Sequence, residues 1–404
     1  MLSSHKKENK MNKSQDNPVP MSSPEINDED RQAVQEVLNT TYLSMGPKID
    51  QFEQAIRERT GSRYAIGVSS GTTGLHLCVR AAGIEQGDIV VTTPFSFISS
   101  TNVILFEKAI PVFVDIDPVS GNINTAQVQQ AVYDLKQGGK SAAKWLPRKG
   151  CEAYRSVKAV LSVDVFGQPA DYDELTKICN QNNLTLIEDS CEALGATYKG
   201  KQAGTFGKYG VFAFYPNKQI TTGEGGVIVT DDDEAAAYMQ ALRNQGRAPG
   251  DAWLQHTYLG YNYRLDEMSA ALGFSQMKRL DHMLESRERV AGWYQDYLQE
   301  FPQIETPQIL PTTTRMSWFV YVVRVNASIN RDEFARRLID AGIAVRPYFL
   351  PIHLQPYLVR QFGYQQGDFP ITEDLGNRGL ALPFSSVMTE EEVRLVCEGI
   401  RKSL

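Results

Sequence analysis

Three short stretches of this chain carry side chains that could do chemistry, and each follows directly on a run of strand-forming residues. In YGVFAFYPNKQITTGEGG, Lys218 comes after an aromatic strand and before a glycine-rich return. An amine in such apolar surroundings is partly desolvated and can attack a carbonyl. In LTLIEDSCEALG, the apolar run Leu184–Ile187 delivers Glu188 and Asp189. A carboxylate there can pair with a protonated ring nitrogen and keep a pyridine-based electron sink cationic. Taken alone, such an aspartate reads more readily as the cap of a following helix. In SSGTTGLHL, Ser69 to Leu77, a strand passes through a small-residue turn into a helix whose free N–H groups and dipole favour a phosphate.

The elements around these stretches follow one plan. Short β-branched runs (YAIGVSS, DIVVTTPFSF, IPVFVDID, VKAVLSVDVFG, LTLIEDS) alternate with amphipathic segments at Thr125–Leu135, Asp171–Asn182 and Asp233–Asn244. That alternation predicts a largely parallel sheet covered on both faces, with ligands beyond the carboxyl ends of its strands. Phosphate turn, strand-end acid and later lysine come in the order used by pyridoxal-phosphate (PLP) enzymes of the aspartate-aminotransferase fold. The expected class is therefore α/β, the type I PLP fold, with a large PLP-binding domain over residues 19–265. A long charged helix from Asp266 to about Glu300 then opens a smaller C-terminal α+β domain, 266–404. Residues 1–18 are polar and without periodicity, and read as a disordered tail.

Composition narrows the partners. The formal charge of −7 over 404 residues, with acids and bases interspersed, gives no field that would attract nucleic acid. No membrane span or secretory signal is visible, which points to the cytoplasm. The five cysteines, odd in number and never in a CxxC pair, read as reduced thiols rather than as disulfides or zinc ligands. One stretch, Leu135 to Lys158, is rich in Lys and Arg. It reads as a solvated surface loop, although its charge would also suit a diphosphate at a site entrance. A nicotinamide oxidoreductase would need GxGxxG after the first strand, and SSGTTG lacks that spacing. A PLP-binding regulator without turnover is the rival of a different class.

The segments LSMGPKIDQFE, SSGTTGLHL, PVFVDIDP, FGQPADYDEL, EDSCEALGATYKGKQAGTFG, FYPNKQITTGEGG and GYNYRLDEMSAALG resemble the DegT/DnrJ/EryC1/StrS sugar aminotransferases, from about Val19 to the C terminus. The resemblance implies that Lys218 forms the Schiff base with PLP, Asp189 binds the pyridine nitrogen, Phe97 stacks on the ring, and Gly71 and Thr72 hold the phosphate. It also implies a homodimer in which Asn262 and Arg264 complete the partner's site. Two positions depart from the common pattern: Ala213 stands where many relatives have a phosphate-binding serine, and Glu192 where many have Gln or His. Glu192, counted here among the cofactor-binding positions, together with ITTGEGG resembles the perosamine-synthase branch. That implies amination of a nucleotide-diphosphate-linked 4-keto-6-deoxy sugar with L-glutamate as donor, a 3-keto sugar being the alternative. Lys218 argues against the family's dehydratase variant, which has histidine there. Glu192 is expected one helical turn beyond Asp189. Tyr348 and His353, in RPYFLPIHLQPY, are candidates for the sugar pocket, a structural role being open for the histidine.

Overall fold

The computed structural model of the protein describes residues 19–404; the tail expected at 1–18 lies outside them. The largest sheet of the described chain runs in the order Tyr64–Val68, Gly226–Thr230, Tyr209–Ala213, Thr185–Asp189, Val157–Val163, Ile89–Thr92, Ile110–Phe113. Every pairing from Tyr209–Ala213 outward to Ile110–Phe113 is parallel, and only Gly226–Thr230 runs against its neighbours. These strands are buried along almost their whole length, as continuous Val/Ile/Leu runs require when helices cover both faces. The apolar clusters on the two faces are centred on Leu77, Val90 and Val211, and on Val112, Val160 and Leu175.

A smaller antiparallel sheet takes the order Ile304–Glu305, Tyr321–Val325, Gly379–Leu382, Arg346–Pro347. Helices Leu280–Leu298, Arg331–Asp340 and Glu390–Ser403 contribute to its core around Tyr294, Val323 and Ile400. The fold class is the one expected, but the chain divides differently. The single helix foreseen from Asp266 is two helices, Glu267–Met277 and Leu280–Leu298. The first packs on Asp28–Leu38 and Pro47–Thr60, and its Ala270 shares a core with Ile49 and Phe52 of the large sheet's side. The second begins in that core with Met283 and Leu284 and ends in the small one with Tyr294 and Leu298. Val19 also joins the small core and exchanges backbone hydrogen bonds with Gly342 and Ala344. Burial, not chain order, sets the division, so a cut at 265/266 separates residues that pack together.

Candidate active site

The lysine, the acid and the phosphate turn meet in one cavity of about 470 Å³ at the carboxyl ends of the central strands. Each is delivered by a local rule. Alternation along Thr185–Asp189 sends Asp189 toward the cavity and Glu188 to the opposite side, where it accepts the N–H groups of Gly204 at 2.8 Å, Phe206 at 2.5 Å and Gly207. Burial and Asp164 push the Glu188 carboxyl up to about 8. Beyond Tyr209–Ala213 the chain turns, with Lys218 N–H donating to Tyr215 C=O at 2.9 Å, and the lysine side chain enters the cavity.

The phosphate turn is a capped helix start. Ser70 Oγ accepts from Thr73 N–H at 3.2 Å, while Ser70 N–H donates to Thr73 Oγ1 at 3.0 Å. The N–H groups of Gly71 and Thr72, at the first two positions of Gly71–Ala81, have no intrahelical partner and are the seat offered to an anion. Gly71 is required sterically as well: a Cβ there would lie 2.7 Å from Cys191 Sγ and 2.8 Å from Ala213 Cβ. The hydroxyl absent at Ala213 has a counterpart in Ser99, whose Oγ is 2.8 Å from Thr72 Oγ1 in the same cavity. Ser99 escaped the sequence reading, although the polar SFISS after the strand DIVVTT marked it.

Phe97 also lines the cavity and is 62% exposed, a flat apolar surface available for stacking. Asp189 is 6% exposed, and its carboxylate accepts from the Cys191 N–H at 3.3 Å. Burial raises its carboxyl above the ordinary value, with Lys218 pulling the other way. A buried carboxylate lacking a close cation is what a protonated pyridine nitrogen would satisfy. Lysine, acid, anion seat and ring surface therefore fit PLP on chemical grounds.

Glu192 is not on a helix. The segment after Asp189 is a chain of turns, with Ala193 N–H donating to Ser190 C=O at 2.9 Å, so Asp189 caps no helix either. The turns bring Glu192 Oε1 to 3.7 Å from Lys218 Nζ, while Phe166 N–H donates to Oε2 at 2.8 Å. Burial raises the Glu192 carboxyl, and Lys218 lowers it. The ammonium also lies over the Phe319 ring, 3.6 Å from Nζ to the centroid. Nothing local marked Phe319, since WFVYVV reads as a core strand.

Two expectations need adjustment. Tyr348 lines the cavity, but His353 is wholly buried elsewhere, its Nε2 3.0 Å from Glu373 Oε1, because the Phe369 and Tyr364 rings enclose it. The basic stretch contributes nothing to this cavity. It enters the sheet before Val157–Val163, at the amino end of the parallel strands, and Arg148 is engaged bidentately by Asp368 at 2.6 and 2.7 Å. Asn262 and Arg264, expected to act on the partner's site, lie outside the cavity lining of their own chain; Arg264 donates to Asn244 Oδ1 at 2.9 Å, and Asn262 bridges to Asn244.

This fold with this cavity defines a PLP-dependent enzyme of the aminotransferase class. Residues 24–401 match the DegT/DnrJ/EryC1/StrS aminotransferase family. The chain is 34% identical to a GDP-perosamine synthase of Caulobacter vibrioides, over 96% of this chain and 98% of that one. It is 35% identical to the spore coat polysaccharide biosynthesis protein SpsC of Bacillus subtilis, over 95% and 96%. Among solved structures, Helicobacter pylori PseC, an aminotransferase involved in pseudoaminic acid biosynthesis, superimposes with a TM-score of 0.85 at 27% identity, covering 96% of this chain and 99% of that one. The protein belongs to the DegT/DnrJ/EryC1/StrS family and is a PLP-dependent sugar aminotransferase.

Proposed function

We propose that the enzyme moves an amino group from L-glutamate to C4 of a nucleotide-diphosphate-linked 4-keto-6-deoxy sugar. The observation that carries the reading is the convergence of Lys218, Asp189 and Glu192 on one cavity, in a chain similar to GDP-perosamine synthases. PLP, when bound, supplies the electron sink. Gly71 and Thr72 would hold its phosphate through their N–H groups, Phe97 would stack on the ring, and Asp189 would keep the ring nitrogen protonated. Lys218 Nζ would bond the cofactor at rest; once the donor's amine displaces it, the freed amine is the group placed to take the proton from the donor's α-carbon and hold it for delivery. Glu192, 3.7 Å away, supplies the counter-charge for that ammonium.

Only a carbonyl held in reach of the amine-bearing carbon can react, so docking decides the position aminated. Incubation with glutamate and parallel 3-keto and 4-keto nucleotide sugars, followed by NMR location of the new C–N bond, should yield a 4-amino-4,6-dideoxy sugar alone. Amination at C3 would refute the C4 assignment while leaving aminotransfer intact.

The working unit of this reading is a homodimer in the cytoplasm, each cavity completed by Asn262 and Arg264 from the other copy. The loop just before these residues supports it: Trp253, Leu254 and Leu259 are 83%, 67% and 85% exposed, an apolar surface suited to a second chain. Mixing Lys218→Ala with Arg264→Ala chains should restore roughly a quarter of wild-type activity, since random pairing rebuilds one intact site in each mixed dimer. No recovery despite demonstrated subunit exchange would refute the shared site.

A further inference from the structure

The most unusual charge near the cavity is a buried arginine that faces no acid. Arg287, on Leu280–Leu298, is 2% exposed, and its guanidinium donates to backbone carbonyls alone. Nη1 reaches Trp318 O at 3.1 Å and Phe319 O at 3.2 Å; Nη2 reaches Lys218 O at 2.6 Å and Asn217 O at 3.4 Å. Its Nε has no partner. Burial lowers the guanidinium to about 10, with the more distant Glu25 pulling the other way. A charge withdrawn from water without a carboxylate is costly to keep, and replacing it with an apolar side chain would suit a purely structural position better.

Its acceptors explain its place. Two belong to the loop that presents Lys218, and two to the turn that lays the Phe319 ring against Lys218 Nζ. That turn holds Trp318 in left-handed backbone, φ 51°, which persists only where the surroundings impose it. A second tie runs alongside: Gln219 Nε2 donates to Glu192 O at 2.6 Å and to Ser317 Oγ at 2.9 Å.

We infer that Arg287 is a positioning residue for the reactive amine: by gripping the Lys218 and Phe319 carbonyls together, it fixes Lys218 Nζ between the Phe319 ring and Glu192. The inference rests on Lys218 being the lysine that bonds PLP. Arg287 touches neither cofactor nor substrate; it acts through the backbone of the residues that do.

The test compares wild type, Arg287→Lys, Arg287→Gln and Phe319→Leu. Apo-proteins are mixed with PLP, and covalent capture is followed by borohydride trapping and peptide mass; reconstituted enzymes are assayed with glutamate, and melting temperatures are recorded. Trapping on a lysine other than Lys218 in wild type would refute the underlying assignment before any variant is read. With Lys218 established, both Arg287 variants should capture PLP about tenfold more slowly and lose kcat in similar measure, with the glutamate KM nearly unchanged, because a displaced amine misses the attack geometry. Induced circular dichroism of the bound cofactor should weaken in parallel. Folded Arg287 variants with wild-type capture and kcat, differing only in melting temperature, would overturn the inference. Should neither fold, Phe319→Leu decides: slowed capture supports the placement, and wild-type capture overturns it.

Discussion

Lys218→Ala should leave a folded protein that holds PLP only non-covalently and transaminates at a rate lower by about 10⁴-fold or more, since nucleophile and proton carrier are lost together. The fold should survive because the lysine side chain's contacts are with the cavity, Glu192 and the Phe319 ring. Stopped-flow absorbance during mixing with glutamate checks the loss, and activity equal to wild type would remove Lys218 from the mechanism. Stability carries a second signature. Burial already raises the Glu192 carboxyl, and Lys218 lowers it more than the Phe166 N–H does, so the substitution raises it further. The folded state then binds a proton that the unfolded chain releases at the ordinary carboxylate value, and stability falls as pH rises through that interval. The apo variant's deficit in melting temperature should therefore be small at low pH and grow toward neutral pH.

Asp189→Asn should still bind PLP yet slow the glutamate half-reaction by about 10³-fold. A cation and carboxylate roughly 4 Å apart interact by about 4 kcal/mol at an effective dielectric near 20. Losing that from a step that depends on the protonated ring corresponds to about three powers of ten in rate. Single-turnover absorbance reads the step, and a change of less than about tenfold would mean that another group protonates the ring. The apo-protein should respond in the opposite sense. Burial raises the Asp189 carboxyl, so its charged form opposes folding at pH values above that of an ordinary carboxylate. Neutral asparagine removes the penalty, so the apo variant should melt no lower than wild type at neutral pH while gaining less from added PLP.

These effects concentrate on residues that local pattern could find. A strand's length determines which residues leave its carboxyl end, so LTLIEDS delivered Glu188 and Asp189 together; the family resemblance singled out Asp189, and the strand's alternation in the structure turns Glu188 away. A small-residue turn before an apolar helix exposes N–H groups wherever it occurs, so Gly71 and Thr72 were legible too. The helix foreseen after Asp189 was a plausible continuation of the same logic. Turns formed instead, and they carry Glu192 to Lys218, 26 positions along the chain.

By itself, the sequence determined the alternating α/β plan, the strand ends that bear the lysine, the acid and the anion seat, and through them the cofactor's chemistry. Tertiary structure decided what approaches those groups. Arg287 meets Lys218 O across 69 residues, and the Phe319 ring reaches the same lysine from a strand-like apolar run. It also decided that His353 is enclosed with Glu373, that Arg148 is engaged by Asp368, and that Leu280–Leu298 bridges two cores. The physical reason is range. Periodicity and capping report the environment of a few consecutive residues, whereas contacts across long loops depend on how whole elements pack, which no local pattern encodes.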